Sequence, residues 1–216
     1  MTMHDRWDRL CARVGAFGSA SEADLTYEMI STLYANPSRA YHNLEHIAWC
    51  LRAFDEVARL AEHPDACEFA LWLHDCVFIP ERPDNEARSA EAAAMIAGLL
   101  GCDGVFISQV RELILVTKHD SCPVDPDSAL VSDVDLAVLG GSEEEYAQYS
   151  ASIRAEFSFA PEEMFARGRM AFLHRMLDRE EIYSTAWYRS TLEKRARANM
   201  QRELEGWEDR YGEGEE

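Results

Sequence analysis

The chain is short of positive charge: 21 Lys and Arg face 40 Asp and Glu across 216 residues, for a formal net charge of −19. A field of that sign repels a nucleic-acid backbone, and no basic block offers a local exception, so a nucleic-acid polymer is not an expected partner. No run approaches the roughly 20 apolar residues of a bilayer span, and the opening Met1-Thr2-Met3-His4-Asp5-Arg6 lacks the basic-then-apolar layout of a signal peptide. No membrane partner is expected. The six cysteines, at 11, 50, 67, 76, 102 and 122, form no disulfide framework and sit mostly in apolar helical surroundings, which reads as reduced core thiols in a cytoplasmic protein. There is no Pro/Gly/Ser-rich linker and no repeat of fixed period. A hydrophobic content of 47% supports a sizeable core, and the missing linker favours one domain over 1–208 with an acidic frayed tail over 209–216. Self-association stays open.

What is present is helical periodicity almost throughout. Ser21-Glu22-Ala23-Asp24 resembles a capping box that opens a helix to about Tyr34, with Leu25, Met29, Ile30 and Leu33 as its recurring apolar positions and Asn36-Pro37 as its stop. A second helix carries Leu44, Ile47, Leu51, Phe54 and Val57 on one stripe. The run from Cys67 to Asp75 is apolar nearly all round, which suits a helix buried at the centre of a bundle. Phe78 to Pro83 reads as an irregular loop. Helices follow over 85–100, ended by Gly101, and 105–119, then over 130–139, stopped by Gly140-Gly141. Three more fit 142–156, 161–177 and 187–207. The expected fold is an all-α, single-domain bundle of about seven to nine helices.

Three segments carry metal-ligand chemistry: Tyr41-His42-Asn43-Leu44-Glu45-His46, then His74-Asp75, then Asp133-Val134-Asp135. Histidines four apart share a helix face, and an adjacent His-Asp pair offers a nitrogen and a carboxylate oxygen to one cation. The segments are far apart in sequence, so only a folded globule can bring them to one ion. Mixed nitrogen and oxygen donors suit Mn, Fe, Co, Ni or Zn and tolerate Mg. No cysteine stands in CxxC or similar spacing near these residues, and Cys76, directly after Asp75, should point elsewhere, so a sulfur ligand is not expected. Glu45 lies three residues after His42 rather than one, which removes the zinc-protease reading. Asp133 and Asp135, two apart on a helix, cannot both face the ion. Asp135, with Val138 and Leu139 on its inward side, is the expected ligand. Asp133 is then a cap or a group that orients a ligand histidine, or the alternative ligand.

The order His, His-Asp, Asp resembles the HD superfamily of metal-dependent phosphohydrolases, and Tyr41–His46 resembles the opening motif of its cyclic-nucleotide phosphodiesterases. Phe69–Asp75, Asp84-Asn85-Glu86, Thr117–Asp120 and Asp133–Gly140 are also similar to a small bacterial subfamily of predicted HD phosphohydrolases, and the resemblance covers most of residues 20–205. It implies an HD-type helical domain, a divalent ion (Mn, Mg, Co, Ni, Fe or Zn) on His46, His74, Asp75 and Asp135, and His42 as proton donor to a leaving oxygen. The substrate implied is a nucleotide or another small phosphorylated metabolite. Nothing matches the purine-clamping glutamine region of the phosphodiesterases, so cyclic-nucleotide specificity is not implied.

Asp84 fits a helix cap with Glu86 in the first turn, and the resemblance adds that Glu86 or Asp84 contacts the metal-bound water or a substrate hydroxyl, with Glu86 as the catalytic candidate. Lys118 and His119 suit a helix C-terminus and are candidate substrate contacts, as is Arg169, since an acidic phosphate-binding protein needs inward cations. His119 is the only histidine between Asp75 and Asp133, so the paired extra histidines of HD oxygenases are missing. The alternative from another class is a non-catalytic, metal-containing binding or regulatory module. His42 argues for an enzyme, because a structural ion needs no proton donor.

Overall fold

The computed structural model describes residues 1–15 and 20–212. It is all-α: ten α-helices and, among the described residues, no strand. They are α1 (Met3–Val14), α2 (Ala20–Tyr34), α3 (Leu44–Val57), α4 (Pro64–Leu73), α5 (Asn85–Leu99), α6 (Gly104–Leu115), α7 (Pro126–Leu136), α8 (Glu143–Glu156), α9 (Glu162–Leu177) and α10 (Ala186–Tyr211). None of the described helices is long and apolar enough to cross a membrane. The helix the sequence reading omits is α1. Its signal was present: Thr2 and Asp5 form a reciprocal capping box, and Trp7, Leu10 and Cys11 recur at helical spacing and are buried.

By packing, the chain groups into two compact units, Met1–Asp135 and Leu136–Glu216. The boundary falls inside a continuous helical segment, where no linker composition can mark it. The tail expected from 209 is still helix to Tyr211; residues 213–216 lie outside the described residues.

The first unit is organised by α4, which packs against α1, α3, α5 and α6. Every residue from Ala66 to Leu73 is buried, as the all-round apolar pattern implied. Trp7, Phe69 and Trp72 meet with ring centroids 5.3 Å apart. The buried acid on α4, Glu68, is neutralised by Arg6 and Arg13 of α1, each at 2.7 Å. Such a buried carboxylate must be paired, and here the pairing also fixes α1 across α4.

Helix α2 corrects the reading in two ways. It starts at Ala20, so Ser21 lies in the first turn and is not the cap. Its buried face is Ala23, Thr26, Ile30 and Tyr34, while Leu25, Met29 and Leu33 are exposed. The inward side is held by polar tips on apolar bodies: Trp7 Nε1 donates to Thr26 Oγ1 at 3.0 Å, and Tyr34 Oη donates to the Trp72 carbonyl at 3.0 Å. Such partners let Thr and Tyr outcompete Leu and Met for the interior.

In the second unit α10 packs on α9 and on a 3₁₀ turn over Ala137–Gly140. A Cβ at Gly140 would lie 2.6 Å from Leu192 Cβ, so this close approach needs glycine. Asn199 Nδ2 donates to the carbonyls of Leu139 and Gly141 at 2.9 and 3.0 Å, tying that turn to α10.

Candidate metal centre

All the metal ligands expected from the sequence lie in the first unit and converge. Asn43 caps α3, its Oδ1 accepting from the Glu45 and His46 amides at 2.9 and 3.3 Å, and this start phases His46 inward. Helix α4 ends at Leu73, so His74 and Asp75 fall in the turn after the most buried helix. The Nε2 atoms of His46 and His74 are 3.2 Å apart. Asp75 Oδ2 is 2.9 Å from His74 Nε2 and 3.5 Å from His46 Nε2. Asp135 Oδ1, from α7, lies 3.3 and 3.4 Å from the same two nitrogens.

These separations fit an ion. Ligand bonds of about 2.0–2.2 Å give donor–donor edges of about 2.8–3.6 Å for octahedral to tetrahedral arrangements. Proton bookkeeping agrees. His74 Nδ1 is 3.1 Å from the Leu71 carbonyl, which can only accept, so Nδ1 carries the hydrogen and the neutral ring turns the Nε2 lone pair inward. A second imidazole nitrogen and two acceptor-only carboxylates face that lone pair. Such a cluster needs a cation or added protons at its centre. Without an ion, burial opposes charge on both histidines, but the surrounding groups outweigh it. Asp75 and Asp135 act on His74; Cys50, Tyr41 and the same carboxylates act on His46. Both rings are held well above the usual imidazole range. Burial likewise opposes ionisation of Asp75 and Asp135, and the histidines override it, holding both well below the usual carboxylate range.

The other candidates divide. His119 stands at the centre's edge: its Nε2 is 2.8 Å from Asp135 Oδ2 and its Nδ1 3.2 Å from Ser132 Oγ. Its backbone is left-handed, φ 56° and ψ 25°. A non-glycine residue there costs about 1–3 kcal/mol, which the two side-chain contacts help to offset. The His42 ring is stacked on Phe78 at 3.9 Å and lies 6.0 Å from the His46 ring. Glu86 is half-buried at the start of α5, and burial, with Asp75 adding to it, pushes its carboxyl up against the pull of Lys118 and His119. Lys118 is half-exposed with its ammonium 2.6 Å from Asp120. Asp133 is fully buried on α7. Arg169 belongs to the second unit, where it is buried and its Nε and Nη2 each donate to Glu203 at 2.9 Å, with Nη1 donating to Tyr149 Oη at 3.1 Å. That guanidinium is already committed to protein partners.

Sequence reasoning missed Cys50. His46, Cys50, His74 and Asp135 form a group, with ligand atoms all within 4.8 Å of one another, that can hold a metal ion. The signal was the i, i+4 spacing from His46; the CxxC test could not detect it. Sγ is 3.6 Å from His46 Nε2 and 3.8 Å from Nδ1, so it lies against the side of the ring, off the Nε2 lone-pair axis. The expectation for Cys76 holds, its thiol facing the Ser89 carbonyl. The neighbouring loop is pinned as well: Asn85 bonds the backbone of Ile79 and Arg82, and Ser89 Oγ bonds both the amide and the carbonyl of Val77.

Fold and site together define an all-α protein with a buried histidine–carboxylate centre able to hold a metal ion. A scan of protein-family models, a search of curated proteins and a search of solved structures each give no match.

Proposed function

We propose that the chain is a metal-dependent phosphohydrolase of the HD type, acting on a nucleotide or another small phosphorylated metabolite. The observation that carries this reading is the meeting of two imidazole Nε2 atoms and two carboxylates from three distant segments, with a further histidine, His42, at its side. His46, His74, Asp75 and Asp135 would hold the ion. When bound, it supplies Lewis-acid polarisation of a phosphoryl oxygen and lowers the pKa of water. The donor set suits Mn, Fe, Co, Ni or Zn and tolerates Mg.

The chain's own residues supply the rest. His42, stacked on Phe78, gives a proton to the departing ester oxygen. Glu86, whose carboxyl is pushed up by burial, is the candidate to orient the attacking water. His119 holds the outer oxygen of Asp135 and is the candidate contact for a phosphate oxygen. The net charge of −19 favours a small ester over a polymer.

The test is metal analysis of the purified protein and of His74→Ala, joined to a screen of phosphate mono- and diesters with Mn, Mg, Co and Ni in turn. Near-stoichiometric metal lost in the variant, with turnover of at least one small ester, is expected. Unchanged metal content in His74→Ala refutes the centre. Bound metal without turnover of any ester replaces the enzyme by a metal-containing binding module.

A further inference from the structure

A buried cation beside the centre has no part in the chemistry above. Arg39 is only 8% exposed, and its guanidinium donates to three main-chain carbonyls. Nη1 reaches His42 O at 3.1 Å and Asp75 O at 2.7 Å, and Nη2 reaches Cys76 O at 3.1 Å. The guanidinium carbon lies 5.3 Å from the Tyr34 ring centroid and 5.8 Å from that of Phe78. Phe78 is the ring on which His42 stacks. One rigid fork therefore bridges the segment bearing His42 to the turn bearing Asp75, and touches the ring that orients His42.

The arrangement differs from an ordinary helix-end cap. Arg197, in the second unit, donates to the carbonyls of Leu177, Arg179 and Glu180, all at the end of a single helix. Arg39 instead joins His42 and Asp75, 33 positions apart (75 − 42), through one nitrogen. An ammonium cannot reproduce this planar fork with its aromatic contacts, so lysine is only a partial substitute.

We propose that Arg39 is a positioning residue that sets the place of the His42 imidazole relative to the Asp75 side of the centre. Its activity readout rests on the phosphohydrolase reading. A second readout, the His42 ring signal in protein labelled at histidine ring carbons, needs neither metal nor substrate.

The experiment compares wild type, Arg39→Gln, Arg39→Lys and, as a control for a lost helix-end arginine, Arg197→Gln. The ratio of turnover on an alkyl phosphate to that on a nitrophenyl phosphate is measured, since only the alkoxide must be protonated as it leaves. A displaced proton donor lowers that ratio, by about 10- to 100-fold in Arg39→Gln, with partial recovery in Arg39→Lys and no change in Arg197→Gln. The His42 ring signal, assigned by its loss in His42→Ala, is expected to shift or broaden in Arg39→Gln. A wild-type ratio and an unchanged His42 signal, with only a lower melting temperature, would reduce Arg39 to a structural cap and overturn the proposal. If wild type turns over neither ester, the phosphohydrolase reading fails and the His42 signal alone decides the role of Arg39. If Arg39→Gln does not fold, Arg39→Lys carries both measurements.

Discussion

At the residue scale the centre turns on which atom faces which. Of the two aspartates two positions apart on α7, Asp135 meets both histidines, while Asp133 is fully buried two residues away, and residues two apart on a helix point in different directions. Asp135→Asn should therefore lose bound metal while Asp133→Asn keeps most of it, measured by elemental analysis after dialysis. Equal retention in the two variants would remove Asp135 from the ligand set. The expected shared helix face does not form, because α3 begins only at Leu44 after its Asn43 cap: His42 lies in the turn before it, so His42→Ala should retain its metal. For alkyl phosphates it should lose roughly 10²–10⁴ in kcat, and for nitrophenyl phosphate much less, because that oxygen departs without a proton. Equal losses on the two esters would end its role as donor. His42, His46, His74, Asp75 and Asp135 were all legible as candidates because residue type and order are written in the chain. The placement of Cys50 against His46 depends on side-chain directions within α3, and only an i, i+4 search would have raised it.

At the element scale, helix existence was more legible than helix facing. Capping and 3.6-residue periodicity are local properties, so α3, α4, α5, α8, α9 and α10 fall close to their expected ranges. Helix α2 was also expected, but its inward face was misassigned. Hydrophobicity favoured Leu25, Met29 and Leu33, yet Trp7 and the end of α4 supply hydrogen-bond partners that draw Thr26 and Tyr34 inward. Urea unfolding can check that assignment. Ile30→Ala should cost about 2–5 kcal/mol, as for a fully buried aliphatic side chain, while Leu25→Ala should stay within about 0.5 kcal/mol. A reversed ranking would restore the hydrophobic stripe as the buried face.

At the scale of the whole molecule, the acid-rich composition is tolerated because the few inward acids are matched individually. In the second unit Glu203 accepts from Arg169, Tyr146 and Ser150. Burial works against its ionisation, but Arg169 and the two hydroxyls prevail and hold its pKa at about 2, against an ordinary 4.5. The folded value is the lower one, so this stabilisation is fully present above the unfolded pKa and lost as pH falls through the folded one. It amounts to about 3 kcal/mol, disappearing between roughly pH 5 and pH 2. The stability gap between wild type and Glu203→Gln, from urea titrations at successive pH values, should be constant above about pH 5 and narrow below it. A gap that does not change over that window would show that Glu203 is not ionised in the folded state at pH 7.

The sequence by itself determined the all-α class, the order of the candidate ligand residues and the excess of negative charge. These depend on local periodicity, residue chemistry and a sum over the chain. Tertiary structure alone decided the buried face of α2, the contact of Cys50 with His46, the commitment of Arg169 to Glu203 and the bridge made by Arg39. It also decided the division into two units at Asp135, inside a helix where no change of composition marks it. Each of these depends on which partner a side chain meets across the fold. A polar tip is buried where a distant group satisfies it, and neither that group nor its distance is written in the local pattern.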